Sequence, residues 1–193
     1  MTSAFLKNLD EHLVLFAELA SLDTQVHEVS ERLARCLRSG AKIMFCGNGG
    51  SAADSQHLAA ELTGRFVSDR RPLAAMALST DTSALTCIAN DYAFDQVFAR
   101  QVQALARPGD CLVAISTSGN SANVIEAVHA ARAAQVHTIG LLGRDGGRLR
   151  ALCEQSIVVP SGTTARIQEA HILIGHSICG LIEQSMGLVA AGD

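Results

Sequence analysis

Four side chains suited to metal and proton chemistry sit at helical intervals in this chain. His57 and Glu61 are four residues apart and share one helical face. Gln168 and His176 are eight apart, just over two turns, so they also lie near one face. Two imidazoles, a carboxylate and an amide together make a zinc-type donor set. The His57/Glu61 spacing serves a surface ion pair equally well. On the second helix His171, three residues from Gln168, competes with His176 for the functional place. A carboxylate and an imidazole are also the groups whose pKa values are most readily tuned toward neutrality, which suits general acid–base work.

Two loops add anion chemistry. Gly47-Asn48-Gly49-Gly50-Ser51 precedes a helical segment. Its glycines let backbone approach a ligand, and the helix start offers free N–H groups. The loop is neither G-x-G-x-x-G nor a Walker A sequence, so a nucleotide is not expected. Ser116-Thr117-Ser118-Gly119-Asn120-Ser121 places four hydroxyls at another helix start. Hydroxyls and N–H groups without a nearby Lys or Arg suit a monoester phosphate on a small polar molecule. A turn followed by an N-cap explains either loop alone. Two such loops in one small domain favour a phosphosugar. A third polar stretch, Ser79-Thr80-Asp81-Thr82 with Ile88-Ala89-Asn90-Asp91-Tyr92, offers Asn90 and Asp91 to sugar hydroxyls or to caps.

These residues need a frame. Short apolar runs at Lys42–Cys46, Leu73–Leu78, Asp110–Ser116, Val136–Leu142 and Ser156–Val159 read as buried strands. Amphipathic patterns at 51–64, 94–105, 121–134 and 147–152 alternate with them, and a long helix runs from about Thr164 to Met186. The alternation implies a three-layer α/β/α sandwich around a five-stranded parallel sheet, with ligands beyond the C-terminal strand ends. Ahead of it, residues 1–40 read as a helical arm: Leu6, Leu9, Leu13, Phe16 and Ala20 mark one stripe, and Val26, Val29, Leu33 and Leu37 a second helix closed by Ser39-Gly40. His12, His27, His129 and His137 have no evident partners in sequence and read as exposed or structural.

Composition bounds the function. The chain has 193 residues, enough for one domain, and a formal net charge of −4. Aromatics are 4%, with no Trp and one Tyr, which argues against base stacking on single-stranded nucleic acid. A pI near 5.9 argues against a broad nucleic-acid footprint. No apolar stretch reaches the ~20 residues that span a bilayer. Only 18% of residues are charged and mean hydropathy is +0.23, so apolar surface buried between subunits is expected. Six cysteines without a C-x-x-C pair or a secretory signal read as reduced thiols of a cytoplasmic protein.

Longer motifs carry a family resemblance over about residues 5–186. They are Cys46-Gly47-Asn48-Gly49-Gly50-Ser51, His57-x-x-x-Glu61-Leu62-Thr63-Gly64-Arg65, Asn90-Asp91, Ser116 through Ile125, and Arg166-Ile167-Gln168-Glu169-x-His171 with His176. With these the chain resembles the sugar isomerase (SIS) domain family, in its branch acting on heptose phosphates. The resemblance implies a single flavodoxin-like domain over 1–193, with residues 1–40 aiding assembly into a cytoplasmic homotetramer. It implies an aldose–ketose isomerase that converts sedoheptulose 7-phosphate to D-glycero-D-manno-heptose 7-phosphate through an enediol, feeding nucleotide-heptose and lipopolysaccharide synthesis. Substrate would be held by Asn48, Gly49, Gly50, Ser51, Asn90, Asp91 and Gln168, and its phosphate by Ser116, Thr117, Ser118 and Ser121. One Zn²⁺ per subunit would be held by His57, Glu61, Gln168 and His176, with Glu61 and His176 as the acid/base pair. A group that ligates zinc tightly is not a free base, so, apart from the resemblance, nearby Asp54 is an alternative proton carrier. Neither a nucleic-acid partner nor a membrane is implied. The same family contains a non-catalytic tetramer that binds the replication initiator and isomerases of other phosphosugars. Retention of both Glu61 and His176 favours the heptose enzyme.

Overall fold

The structure, a computed structural model, describes residues 3–189. Five strands form one parallel sheet: β1 (Ile43–Cys46), β2 (Ala75–Ala77), β3 (Cys111–Ser116), β4 (His137–Gly143) and β5 (Gln155–Val159), in the order β2-β1-β3-β4-β5. The helices are α1 (Ala4–Glu18), α2 (Asp23–Arg38), α3 (Gly50–Thr63), α4 (Thr82–Asp91), α5 (Ala99–Leu105), α6 (Ala122–Ala133), α7 (Gly147–Leu152) and α8 (Thr164–Ser185). Side chains alternate across the pleat. Ile43, Phe45, Val113, Ile115, Ile139, Leu141 and Ile157 join one core with α2, α3 and α8. Met44, Cys46, Leu112, Ala114 and Leu142 join the other with α5, α6 and α7. Every strand is covered on both faces, hence the near-continuous apolar runs in sequence.

Three expectations shift. The second strand is shorter, Ala75–Ala77 rather than Leu73–Leu78. The helix expected over 94–105 is a 3₁₀ turn at Phe94–Gln96 followed by α5. The polar stretch read as a loop after β2 holds α4, whose N-cap is Asp81 accepting from the N–H of Ala84. Cap residues and loop residues are the same types, which is why the helix was hidden. The two N-terminal helices differ in burial. Residue after residue of α2 is core (Val29, Leu33, Ala34, Cys36 and Leu37), whereas α1 buries only Leu15 and leaves Phe5, Leu6, Leu9, Leu13 and Val14 exposed. Three of the four histidines without evident partners in sequence have them in the fold: His12 pairs with Glu169 at 2.8 Å, His27 with Asp23 one turn earlier (3.0 Å to its carbonyl, 3.3 Å to its carboxylate), and His137 with Glu154 and Gln155 at 2.9 Å each.

His171 is fully buried on α8 and donates from Nε2 to the Leu142 carbonyl at 3.0 Å, while its Nδ1 has no partner. Burial pushes its pKa down to about 4, only partly countered by that bond. The native state refuses a proton that the unfolded chain accepts near pH 6.5, so stability is full above that pH and falls toward pH 4. The loss on that descent is about 3 kcal/mol at most, set by the shift of the pKa. Urea midpoints measured from pH 7 to pH 4.5 should therefore fall less steeply for His171→Leu than for the wild type.

Candidate active site

The strand order reverses between β1 and β3, the switch point where parallel sheets open a crevice at their C-terminal edge. The glycine loop after β1 and the serine loop after β3 flank that crevice. Asn48 and Asn123 clasp each other across it, each amide donating to the other's oxygen at 2.8 Å. Asn123 was not among the expected site residues. Its role needed a pairing 75 positions apart, which no local pattern reveals.

Gly49 caps α3 with φ +55, a conformation that favours glycine. Ser51 is buried in the first turn, and its N–H bonds the Asn48 carbonyl. On the other side Ser116 and Ser121 hydroxyls lie 3.0 Å apart, and Ser118 accepts from the N–H of Asn120. Thr117 and Ser118 are half-buried. Gly119 (φ +66) presses on the loop after β4: a Cβ there would lie 2.0 Å from the Gly146 carbonyl oxygen. At the start of α3 the N–H groups of Ser51, Ala52 and Ala53 turn back to the Asn48 and Gly49 carbonyls, and at α6 those of Val124 and Ile125 to Ser121, which leaves the N–H groups of Gly50, Ala122 and Asn123 without a backbone acceptor, as an anion site requires. Asn90 and Asp91 end α4 and are exposed, with the Asn90 amide donating to Asp91 at 2.8 Å. That bond, with a second from the Cys87 thiol, holds the Asp91 carboxyl below the usual range.

The titratable cluster lies between α3 and α8, which pack side by side and run parallel. A Cβ on Gly50 would meet the Gln168 amide at 2.2 Å, and one on Gly175 would meet the Leu58 side chain at 2.6 Å. Their N-termini are therefore level, and both point out of the same edge of the sheet. His57 Nε2 lies 2.9 Å from His176 Nε2 and 3.1 Å from Glu61 Oε1. The ligand atoms of this triad all fall within 4.8 Å of one another. His171 points into the core instead, so burial settles a choice that spacing left open. Gln168 sits toward the N-terminal side of the triad, against Gly50.

Two groups near the triad were not expected. Phe66 stacks on His176 with ring centroids 5.5 Å apart. Its backbone N–H bonds Glu183, which also accepts from Arg70 at 2.7 Å; the side chains of Arg70 and Glu183 are 2% and 0% exposed. Arg70 further donates to the carbonyls of Glu61, Leu62 and Gly64. Nearby, the Cys179 thiol is pushed up to about 12, first by burial and then by the Glu61 and Glu183 carboxylates, so it stays neutral and serves as packing. None of the six cysteines is in a disulfide.

The donor chemistry fits a divalent cation of the zinc type: two imidazole nitrogens and a carboxylate oxygen converge without a competing cation among the groups that touch them. Among the described residues no helix is long and apolar enough to cross a membrane. Residues 9–143 match the SIS domain family model. The phosphoheptose isomerase of Trichlorobacter lovleyi is 50% identical over 194 residues, covering 100% of this chain and 99% of its own. The structure of phosphoheptose isomerase from Neisseria gonorrhoeae superposes with a TM-score of 0.89 at 50% identity, over 93% of this chain and 97% of that one. That of a phosphoheptose isomerase from Francisella tularensis gives 0.91 at 36% identity, over 95% and 100%.

Proposed function

The chain belongs to the SIS domain family, and from that membership we propose that the crevice isomerises sedoheptulose 7-phosphate to D-glycero-D-manno-heptose 7-phosphate. The reading rests above all on the convergence of His57, Glu61 and His176 from two helices whose starts share an edge with two anion-binding loops. The phosphate is held by Ser116, Thr117, Ser118, Ser121 and the N–H groups of the α6 start. Asn48, Gly49, Gly50, Ser51 and Gln168 line the path of the sugar chain toward the triad, and Asn90 and Asp91 bond its hydroxyls. No lysine is required, which agrees with a net charge of −4.

In the conversion a C1 proton of the ketose moves to C2 while the oxygens exchange a proton. Glu61 removes the C1 proton, leaving an enediol, and returns it to C2. His176 protonates the C2 oxygen as the carbonyl opens and accepts the C1 hydroxyl proton as the aldehyde forms. Phe66 fixes the imidazole plane during both transfers. One Zn²⁺ per subunit, held by His57, Glu61, Gln168 and His176, would supply Lewis-acid polarisation of the carbonyl. The exposed apolar stripe of α1 (Phe5 is 72% exposed) supports assembly into a homotetramer, and six unbridged thiols support a cytoplasmic location. The product would enter nucleotide-heptose and surface-polysaccharide synthesis.

The test is a coupled assay on the full chain with sedoheptulose 7-phosphate beside five- and six-carbon ketose phosphates. Preferential turnover of the seven-carbon ketose is expected, with loss on chelation and recovery on zinc addition. A protein that turns over no ketose phosphate but binds a partner would be the non-catalytic kind. Full turnover after exhaustive chelation would remove the metal from the mechanism.

A further inference from the structure

Asp54 is the group near the triad whose state nothing above explains. Its side chain is half-buried, yet Oδ2 is sealed from solvent and has no hydrogen-bond partner. Buried polar atoms are normally bonded, and an orphan calls for a cause. Its place on α3 supplies one. Asp54 lies four residues after Gly50, which touches Gln168, and four before Leu58, which seats against Gly175. It therefore belongs to the strip facing α8, between the Gln168 level and the His57/His176 level.

His57 is three residues further on, within side-chain reach on the same face. The imidazole commits Nε2 to Glu61 and His176, so its other nitrogen, Nδ1, is on the far ring edge. Among the described residues Nδ1 has no partner. Burial raises the Asp54 carboxyl above its usual range, and the charge opposing that shift comes from His57. A metal-ligating histidine needs its second nitrogen bonded, because that bond fixes tautomer and ring orientation and raises ligand basicity.

We infer that Asp54 is a positioning residue for the cation site: its carboxylate accepts the Nδ1–H of His57 and holds Nε2, with its lone pair free, toward Glu61 and His176. The inference rests on the metal reading of the triad proposed above. The adjustment is a side-chain rotation within one helical turn, and it gives the sealed oxygen its missing partner.

The experiment titrates wild type, Asp54→Ala and Asp54→Asn with Zn²⁺ and Co²⁺ in competition with a chromophoric chelator. Isomerisation is followed in parallel at limiting and at saturating metal. Asp54→Ala should bind metal roughly 10- to 100-fold more weakly, the usual cost of losing an outer partner of a ligating histidine. Asp54→Asn keeps an oxygen acceptor and the shape of the side chain, so it should fall between the two and still fold where alanine does not. Both variants should regain near-normal kcat at saturating zinc. The inference is overturned if Asp54→Ala holds metal within about twofold of wild type, well short of an outer-partner effect. It is also overturned if the lost activity stays lost at saturating zinc, which would put the carboxylate on the substrate instead. Failure of the wild type itself to bind either ion would overturn the metal reading first, and this role with it.

Discussion

Glu61→Gln is expected to lower kcat by roughly 10²- to 10⁴-fold, the span of a positioned general acid or base. The substitution preserves volume and one acceptor oxygen, so α3 and its contact with α8 should remain. What is lost is the charge and the capacity to hold a proton between C1 and C2. His57 would still face His176 across 2.9 Å, and the serine loop proposed to hold the phosphate, at the start of α6, would be untouched. KM should consequently move much less than kcat. His176→Gln should behave similarly, because the oxygen-bound protons lose their carrier. Metal content separates the two roles of Glu61. If the variant regains turnover when zinc is raised to saturation, the carboxylate served as ligand alone. If zinc content is restored and turnover is not, it served as base. Near-normal turnover in both variants would show that the acid–base pair lies elsewhere.

The largest stability effect should come from the pair buried behind the site. Arg70→Ala or Glu183→Ala should cost about 3–5 kcal/mol, the usual penalty for stranding one member of a buried ion pair. Here the stranding is severe. Without Arg70, Glu183 keeps a charge inside the core with only the Phe66 N–H to bond it, and its Oε2 already has no partner. Without Glu183, the guanidinium keeps its carbonyl acceptors but loses its counter-charge. For a chain of this size that loss corresponds to a fall in melting temperature of roughly 10 °C. Glu183→Gln, which keeps an acceptor for both donors, should be milder. The paired replacement Arg70→Met with Glu183→Leu should be less harmful than either alanine variant, since no charge is left buried. Additive losses in that double variant would contradict a coupled pair. Any folded single variant should also lose kcat, because the segment that carries Phe66 onto His176 is released.

Much of the molecule was legible because strands buried on both faces leave unbroken apolar runs, and because glycine and serine loops fall directly after two of them. The switch point between β1 and β3 follows from that order alone. What escaped was non-local or ambiguous in type. Asp81 and Thr82 begin α4, but the same residues build turns, so Asn90 and Asp91 were placed in a loop when they end a helix. His171 and His176 both satisfy helical spacing from Gln168, and they are told apart only in the fold, which seats His171 on the Leu142 carbonyl and brings His176 to His57. Arg70 and Glu183 are 113 positions apart and each reads as an ordinary surface charge until the fold buries them together. Asp54 was visible as a polar residue near His57, while its sealed oxygen was not.

With Asn48 and Asn123 holding each other, the loop after β1 and the first turn of α6 are tied together while the protein is still free of ligand. The entropy of ordering them is spent during folding. On the proposed binding mode, an arriving phosphate would meet donors already in place and lose little affinity to loop closure, the advantage of a preorganised site. On that reading this part of the crevice would discriminate by fixed shape, and tolerance for sugars of different length would be sought in the exposed end of α4.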